Sequence, residues 1–150
     1  MAVDGDEFYE IRGYLPGRHG QLQPSAGYTL YSGTRSATAW RPPRKGRPVQ
    51  LGTVVPLSRN WEKRWSTQVS LSGQALIVAG DTVLAAGVPM EASFGDAELS
   101  GSFAGEKGGR VWAASKKDGE KIASCDLPSP PVWDGLAVAR GDCIIALKDG

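Results

Sequence analysis

The chain of 150 residues has one histidine and two cysteines, and neither of its charge signs dominates. The histidine, His19, lies in Gly17-Arg18-His19-Gly20. That glycine-flanked polar loop brings no partner near it, so it reads as a solvated residue rather than a base or a ligand. With no Gly-x-Ser-x-Gly elbow beside it, a Ser-His-Asp hydrolase has no activated nucleophile. No Gly-x-x-x-x-Gly-Lys-Ser/Thr loop appears, which removes phosphate-loop nucleotide hydrolysis. Two cysteines make no disulfide framework, and a zinc site needs about four ligands. Cys125 and Cys143 each sit in an apolar, strand-like run, which predicts two buried free thiols. The acidic residues Glu91, Asp96, Glu98 and Glu106 are too sparse for a calcium loop. No catalytic, cofactor or metal residue is therefore assigned.

With 17 basic and 16 acidic residues the formal charge is +1, so no global field argues for nucleic acid, acidic substrates or an anionic membrane. The one basic cluster, at residues 41–48, holds four basic residues among three prolines. It lacks the interleaved aromatics of a single-strand binder and reads as an extended, solvated linker. The apolar runs, such as 76–79, are far too short to span a bilayer, so no membrane span is expected. The start, Ala2-Val3-Asp4-Gly5-Asp6-Glu7, is neither a secretory signal nor a transit peptide. It assigns no compartment.

What the chain has in quantity is turn residues, with 20 glycines and 10 prolines. That composition favours many short strands over a few long helices, an all-β class. Residues 27–33, bounded by glycines, predict a strand, with Thr34-Arg35-Ser36 turning into a return at 37–40. Residues 49–57, with Pro56, predict an edge strand. Trp61 and Trp65 stand four apart, and on a strand even spacing puts both on one, buried face. A second hairpin runs from 74 to 86 through Gly80-Asp81, and the unbroken run Ala75-Leu76-Ile77-Val78 predicts burial on both faces. A third joins 109–115 to 121–127 through Lys116-Lys117-Asp118-Gly119. Val132-Trp133-Asp134-Gly135 reads as a turn. A fourth hairpin joins 136–139 to 143–147 through Arg140-Gly141-Asp142. Residues 90–107 show no strand pattern and read as a surface loop insertion with a short helical turn.

Connections recur. Val78-Ala79-Gly80-Asp81-Thr82-Val83 aligns with Ala139-Arg140-Gly141-Asp142-Cys143-Ile144, and more loosely with Ser25-Ala26-Gly27-Tyr28-Thr29-Leu30. The first two start about 60 residues apart, which reads as a ~40–50-residue blade period stretched by the 90–107 insertion, and the third lies about 50 before the first. The unit from Gly109 through Val111-Trp112-Ala113-Ala114-Ser115-Lys116-Lys117-Asp118-Gly119 to Lys121 resembles the repeat of the pyrroloquinoline-quinone-like (quinoprotein-like) β-propellers. Residues 65–150 are similar to the C-terminal part of bacterial proteins of that family. Ala75-Leu76-Ile77-Val78-Ala79-Gly80-Asp81-Thr82, Ser129-Pro130-Pro131-Val132-Trp133-Asp134-Gly135 and the closing Lys148-Asp149-Gly150 carry the likeness.

The resemblance implies one partial propeller domain over 1–150, of about three blades in an incomplete ring. Residues 1–64 would be an irregular, degenerate blade and 65–150 the better-defined blades, with Trp112 and Trp133 as blade-core residues. A closed ring needs at least ~160 residues, so the expectation is a fragment, or a subunit completed by remaining blades or by another chain. Unpaired edges would then promote self-association. The expected function is a non-catalytic scaffold for protein or small-ligand binding. The alternative is a fragment of a pyrroloquinoline-quinone-dependent dehydrogenase, which would require a carboxylate base, a calcium site and a tryptophan floor.

Overall fold

A computed structural model describes residues 1–13, 28–35, 61–91 and 93–150, without the side chains of Arg35 and Trp61. The predicted return at 37–40, the basic linker at 41–48, the edge strand at 49–57 and His19 lie outside the described residues.

The protein is built of antiparallel sheets with one helix. The first sheet has the order β1 (Ala2–Asp4), β2 (Glu7–Gly13), β3 (Tyr28–Arg35), β4 (Trp61–Val69). The second has the order β5 (Leu71–Ala79), β6 (Thr82–Pro89), β7 (Gly109–Ser115), β8 (Lys121–Leu127). The third pairs β9 (Pro131–Ala139) with β10 (Asp142–Leu147). Each sheet is an up-and-down meander in chain order, with every strand antiparallel to the one that follows it in the sheet.

The second sheet lies between the other two and is packed on both faces. One core joins Tyr9, Leu30, Trp65 and Val69 of the first sheet to Leu71, Val83, Ala85, Trp112 and Ala114 of the second. The opposite core joins Ala75, Ala86 and Val111 to Leu136, with Ile77, Leu84, Leu127 and Ile145 against it. The period of two explains the division: Val83 and Ala85 face the first sheet, and Leu84 and Ala86 face the third. The run 75–78 is likewise shared between the two cores, as its unbroken apolar character predicts.

The β5–β6 and β7–β8 hairpins form where expected. Ala79 pairs with Thr82 around Gly80-Asp81, and Gly80 alone takes positive φ (58°). In the last hairpin Ala139 pairs with Asp142, so the turn is Arg140-Gly141, with φ 54° and 88°. Asp142 therefore opens the strand instead of closing the turn. The Gly-Asp shared by the two connections occupies places one residue out of step, because the first hairpin turns on Gly-Asp and the second on Arg-Gly.

Four expectations are corrected. Residues 132–135 are not a turn but the kinked part of β9, where Asp134 takes φ 55° and the register jumps from Ile145↔Leu136 to Leu147↔Pro131. An irregularity of this kind bends a strand without ending it. Trp133 is no core residue; it is 71% exposed. The register in the first sheet passes from Ser32↔Trp65 to Gly33↔Lys63, leaving Arg64 as an extra residue. That bulge breaks the alternation, so even spacing within 61–65 no longer means a shared face. Within 90–107 stands a helix, α1 (Asp96–Ala104), longer than a single turn. It opens on Gly95, whose N–H donates to Glu98 Oε2 at 3.1 Å. It closes on Gly105 (φ 92°), with Glu106 N–H donating to Gly101 O and Gly105 N–H to Ser102 O. Its buried residues are Gly101 and Ser102, and the Ser102 hydroxyl donates to Pro89 O at the end of β6. A helix that docks through a glycine and a serine carries no apolar stripe, which is why no helical period shows in the sequence.

The first and second sheets are pinned at the β7–β8 loop. Trp65 Nε1–H donates to Lys116 O at 2.9 Å, and its ring lies 6.0 Å from that of Tyr9. Gly119 sits on the same indole with φ 78°, and a Cβ there would come within 2.4 Å of Trp65 Cε3. Gly119→Ala therefore combines backbone strain with a clash, and we expect a loss of about 2–4 kcal/mol in chemical denaturation. Gly80→Ala, where nothing lies within 4 Å, carries strain alone. It is expected to cost only about 1 kcal/mol.

Candidate functional site

Three groupings of side chains stand out, and each sits where two elements meet. The first is an open cleft of about 630 Å³ between the tips of the β5–β6 and β9–β10 hairpins. Ile77, Val78, Thr82, Leu84, Val138 and Cys143 are among its lining residues. Its size is that of a small-ligand site. Its chemistry is one hydroxyl and one thiol in apolar walls, with no charged side chain.

Cys125 and Cys143 are both free and both exposed, contrary to the expectation of buried thiols. The physical reason is their location: among the described residues β8 is the outer strand of the second sheet and β10 has one unpaired edge, so each thiol, though on an apolar strand, stays exposed. Partial burial pushes the Cys143 thiol above its usual value, and Cys125 nearby pushes it the same way. A thiol so placed is protonated at neutral pH and is a poor nucleophile.

The second grouping is an ionic seam across the first and second sheets. Asp4 of β1 accepts from Lys116 Nζ at 2.5 Å, and Glu7 of β2 pairs with Arg64 and accepts from the Tyr9 hydroxyl. Burial raises the Tyr9 phenol above its usual range; the Ser32 hydroxyl pulls the other way and the Asp4 carboxylate adds to the rise. Of these charge pairs, Asp4–Lys116 joins the first sheet to the second, and Glu7–Arg64 joins strands within the first.

The third is Arg110 on β7. Its Nε donates to Asp126 of β8 at 2.6 Å, and its other arm reaches Glu91 and the Ser70 carbonyl oxygen. One guanidinium thus ties the entry of the second sheet, the segment after β6 and the outer strand. The Asp126 hydrogen bond is the main reason the guanidinium is held more basic than usual, burial acting against it and Glu91 in favour. The same bond holds the Asp126 carboxyl below its usual range.

Among the described residues no three of His, Cys, Asp and Glu gather as a metal would need, and no helix is long and apolar enough to cross a membrane. Of the residues that organise these places, Trp65 and Gly119 were visible in the sequence as a buried aromatic and a turn glycine. Arg110 was not, because a single arginine on a strand has no pattern. Comparison of the chain with family models, with curated proteins and with solved structures returns no match.

Two outcomes test these assignments. In a Cys125→Ser background, Cys143 should react with a disulfide reagent several-fold more slowly than free cysteine at pH 7.5, the gap closing as pH rises. The Asp126 carboxyl is depressed in the fold, so its contribution is fully present above the unfolded value of ~4 and is lost as pH falls below that and through the lower folded value. Because Asp126 is largely exposed, Asp126→Asn should cost only about 0.5 kcal/mol at pH 7, and the difference from the parent should vanish in acid.

Proposed function

We propose that the chain is a segment of a β-propeller that acts as a non-catalytic scaffold for binding a protein or a small ligand. The observation that carries this reading is the repetition of a four-stranded, up-and-down sheet, packed face to face on its predecessor and followed by the start of a third. In blades so arranged the first strands converge on an axis and the outer strands splay. One feature supports that geometry: the first strand of the third sheet, β9, lies alongside β5, the first strand of the second.

The pairing of charges supports a scaffold over an enzyme. Asp4, Glu7, Glu91 and Asp126 are each engaged with a lysine or arginine between elements. The alternative, a fragment of a pyrroloquinoline-quinone-dependent dehydrogenase, would need a carboxylate base, a calcium site and a tryptophan floor; the exposed Trp133 departs from the blade-core place that the propeller resemblance implies for it.

Spin labels test the wedge. Labels at residues 3 and 74 would report the inner gap between the first two sheets, and labels at 66 and 124 the outer gap, in a background with both cysteines replaced by serine. The scaffold reading predicts a wider outer gap. Equal gaps near ~10 Å would mean flat, stacked sheets. Adding pyrroloquinoline quinone with calcium should leave absorption and Tm unchanged, and a shift in either would favour the dehydrogenase reading.

A further inference from the structure

Two strand irregularities, one in β5 and one in β9, meet at one pocket. In β5 the register passes from Gly73↔Gly87 to Ala75↔Ala86, which leaves Gln74 as an extra residue with no counterpart on β6. In β9 it passes from Ile145↔Leu136 to Leu147↔Pro131, so residues 132–135 lie opposite Ala146 alone. Within that kink Asp134 takes φ 55°, in the left-handed region. On a regular strand neighbouring side chains point to opposite faces. The left-handed residue breaks that alternation, and Trp133 and Asp134 line the same pocket, together with Gln74. Bulges re-aim side chains in this way and are over-represented beside functional sites.

The pocket holds about 280 Å³. That is just below the ~300–1,000 Å³ of drug-sized sites and suits a group the size of a long side chain. Its apolar walls include Ile11 of β2 and Ala75 and Leu76 of β5, and no lysine or arginine lines it. Trp133 is 71% exposed, so its ring is available to a ligand. The Gln74 side-chain oxygen is shut off from water and accepts no hydrogen bond among the described residues, which carries a free-energy cost. The amide turns easily about its last side-chain bond, so a donor entering the pocket can meet that oxygen. Asp134 makes no ion pair among the described residues, unlike Asp4, Glu7, Glu91 and Asp126. Met1 also lines the pocket, and its terminal ammonium gives the Gln74 oxygen no hydrogen bond.

We propose that this pocket binds a small primary ammonium ion. An unpartnered acceptor, a carboxylate and an indole face are all electron-rich, and the partner that suits the three together is a cation carrying N–H donors. The ammonium donates to Gln74 Oε1, pairs with Asp134 and lies against the Trp133 ring, while its alkyl stem packs on Ile11 and Leu76. A neutral alcohol can meet the Gln74 oxygen but gains nothing from the Asp134 charge, and an anion is repelled by it. This deepens the scaffold reading and rests on it for a ligand that is bound and not transformed; the pocket itself depends on the meeting of β5 with β9, not on whether the sheets form a wedge.

The probe is n-butylammonium chloride, added to the full, nitrogen-15-labelled chain and followed by NMR. The expected result is saturable shifts of the Gln74 side-chain amide, the Asp134 backbone amide and the Trp133 indole N–H, half complete at about 1–10 mM. Tetramethylammonium, which has no N–H, and n-butanol, which has no charge, should each bind at least about fivefold more weakly. Asp134→Asn keeps a residue that tolerates positive φ, and it should weaken n-butylammonium at least about fivefold, as should Gln74→Leu. Unmoved amide signals from Leu30 and Val83 would show that each variant is folded, and Trp133→Ala, at an exposed position, should weaken binding without touching the core. No shift at about 100 mM would overturn the proposal, the result expected if part of this chain already fills the pocket. Equal binding of n-butanol would overturn the cation, equal binding of tetramethylammonium would overturn the Gln74 hydrogen bond, and full affinity in Asp134→Asn and Gln74→Leu would overturn the site. None of these outcomes reads the inner and outer sheet gaps, so a failure here and a failure of the wedge are distinguishable.

Discussion

Trp65 holds its indole N–H on the Lys116 carbonyl oxygen and its ring beneath Gly119, with Tyr9 alongside. The indole belongs to the last strand of the first sheet, and the loop over it belongs to the second. An unpaired buried indole N–H would cost free energy, so the hydrogen bond fixes where the loop must pass. The loop in turn sets the β7–β8 hairpin, whose Ser115 and Glu120 close on each other at 2.8 Å. The Lys116 side chain, anchored by the same loop, reaches back to Asp4. One contact thereby relates the outer strands of two sheets and the inner strand β1.

The second sheet inherits its two-sided burial from this arrangement. With the first sheet held against one face, its other face packs against β9 and β10 through Leu136 and Ile145. The charges follow the same logic. Arg110 ties β8 back to the Ser70 corner and to Glu91, beside the segment from which α1 begins. These are joints between elements, and they leave the apolar cleft at the hairpin tips free of charge. The cleft's lining supplies neither acid nor base.

The all-β class and the hairpins read over residues 74–86, 109–127 and 136–147 were legible in the sequence because period-two alternation and glycine turns act locally. What was not legible depends on neighbours. The bulge at Arg64 defeats reasoning from even spacing, since a single extra residue changes the facing of all that precede it. Trp133 and the two cysteines look like core residues by type, yet their side chains stay exposed among the described residues. The helix at 96–104 hides because it docks through Gly101 and Ser102 instead of an apolar stripe. The candidate site was less legible than the fold: no residue type marks an arginine joint or an open sheet edge, both of which exist only once the strands are in register.

The central claim is that the seat of Trp65 makes the first two sheets one cooperative unit. Native-state hydrogen exchange on Trp65→Ala tests it most directly. The account predicts that protection falls by a common increment, on the order of 3–5 kcal/mol, at Leu30 in the first sheet and at Val83, Ala85 and Trp112 in the second. If Leu30 lost protection while the amides of the second sheet kept theirs, the two sheets would be independent and the account would be wrong.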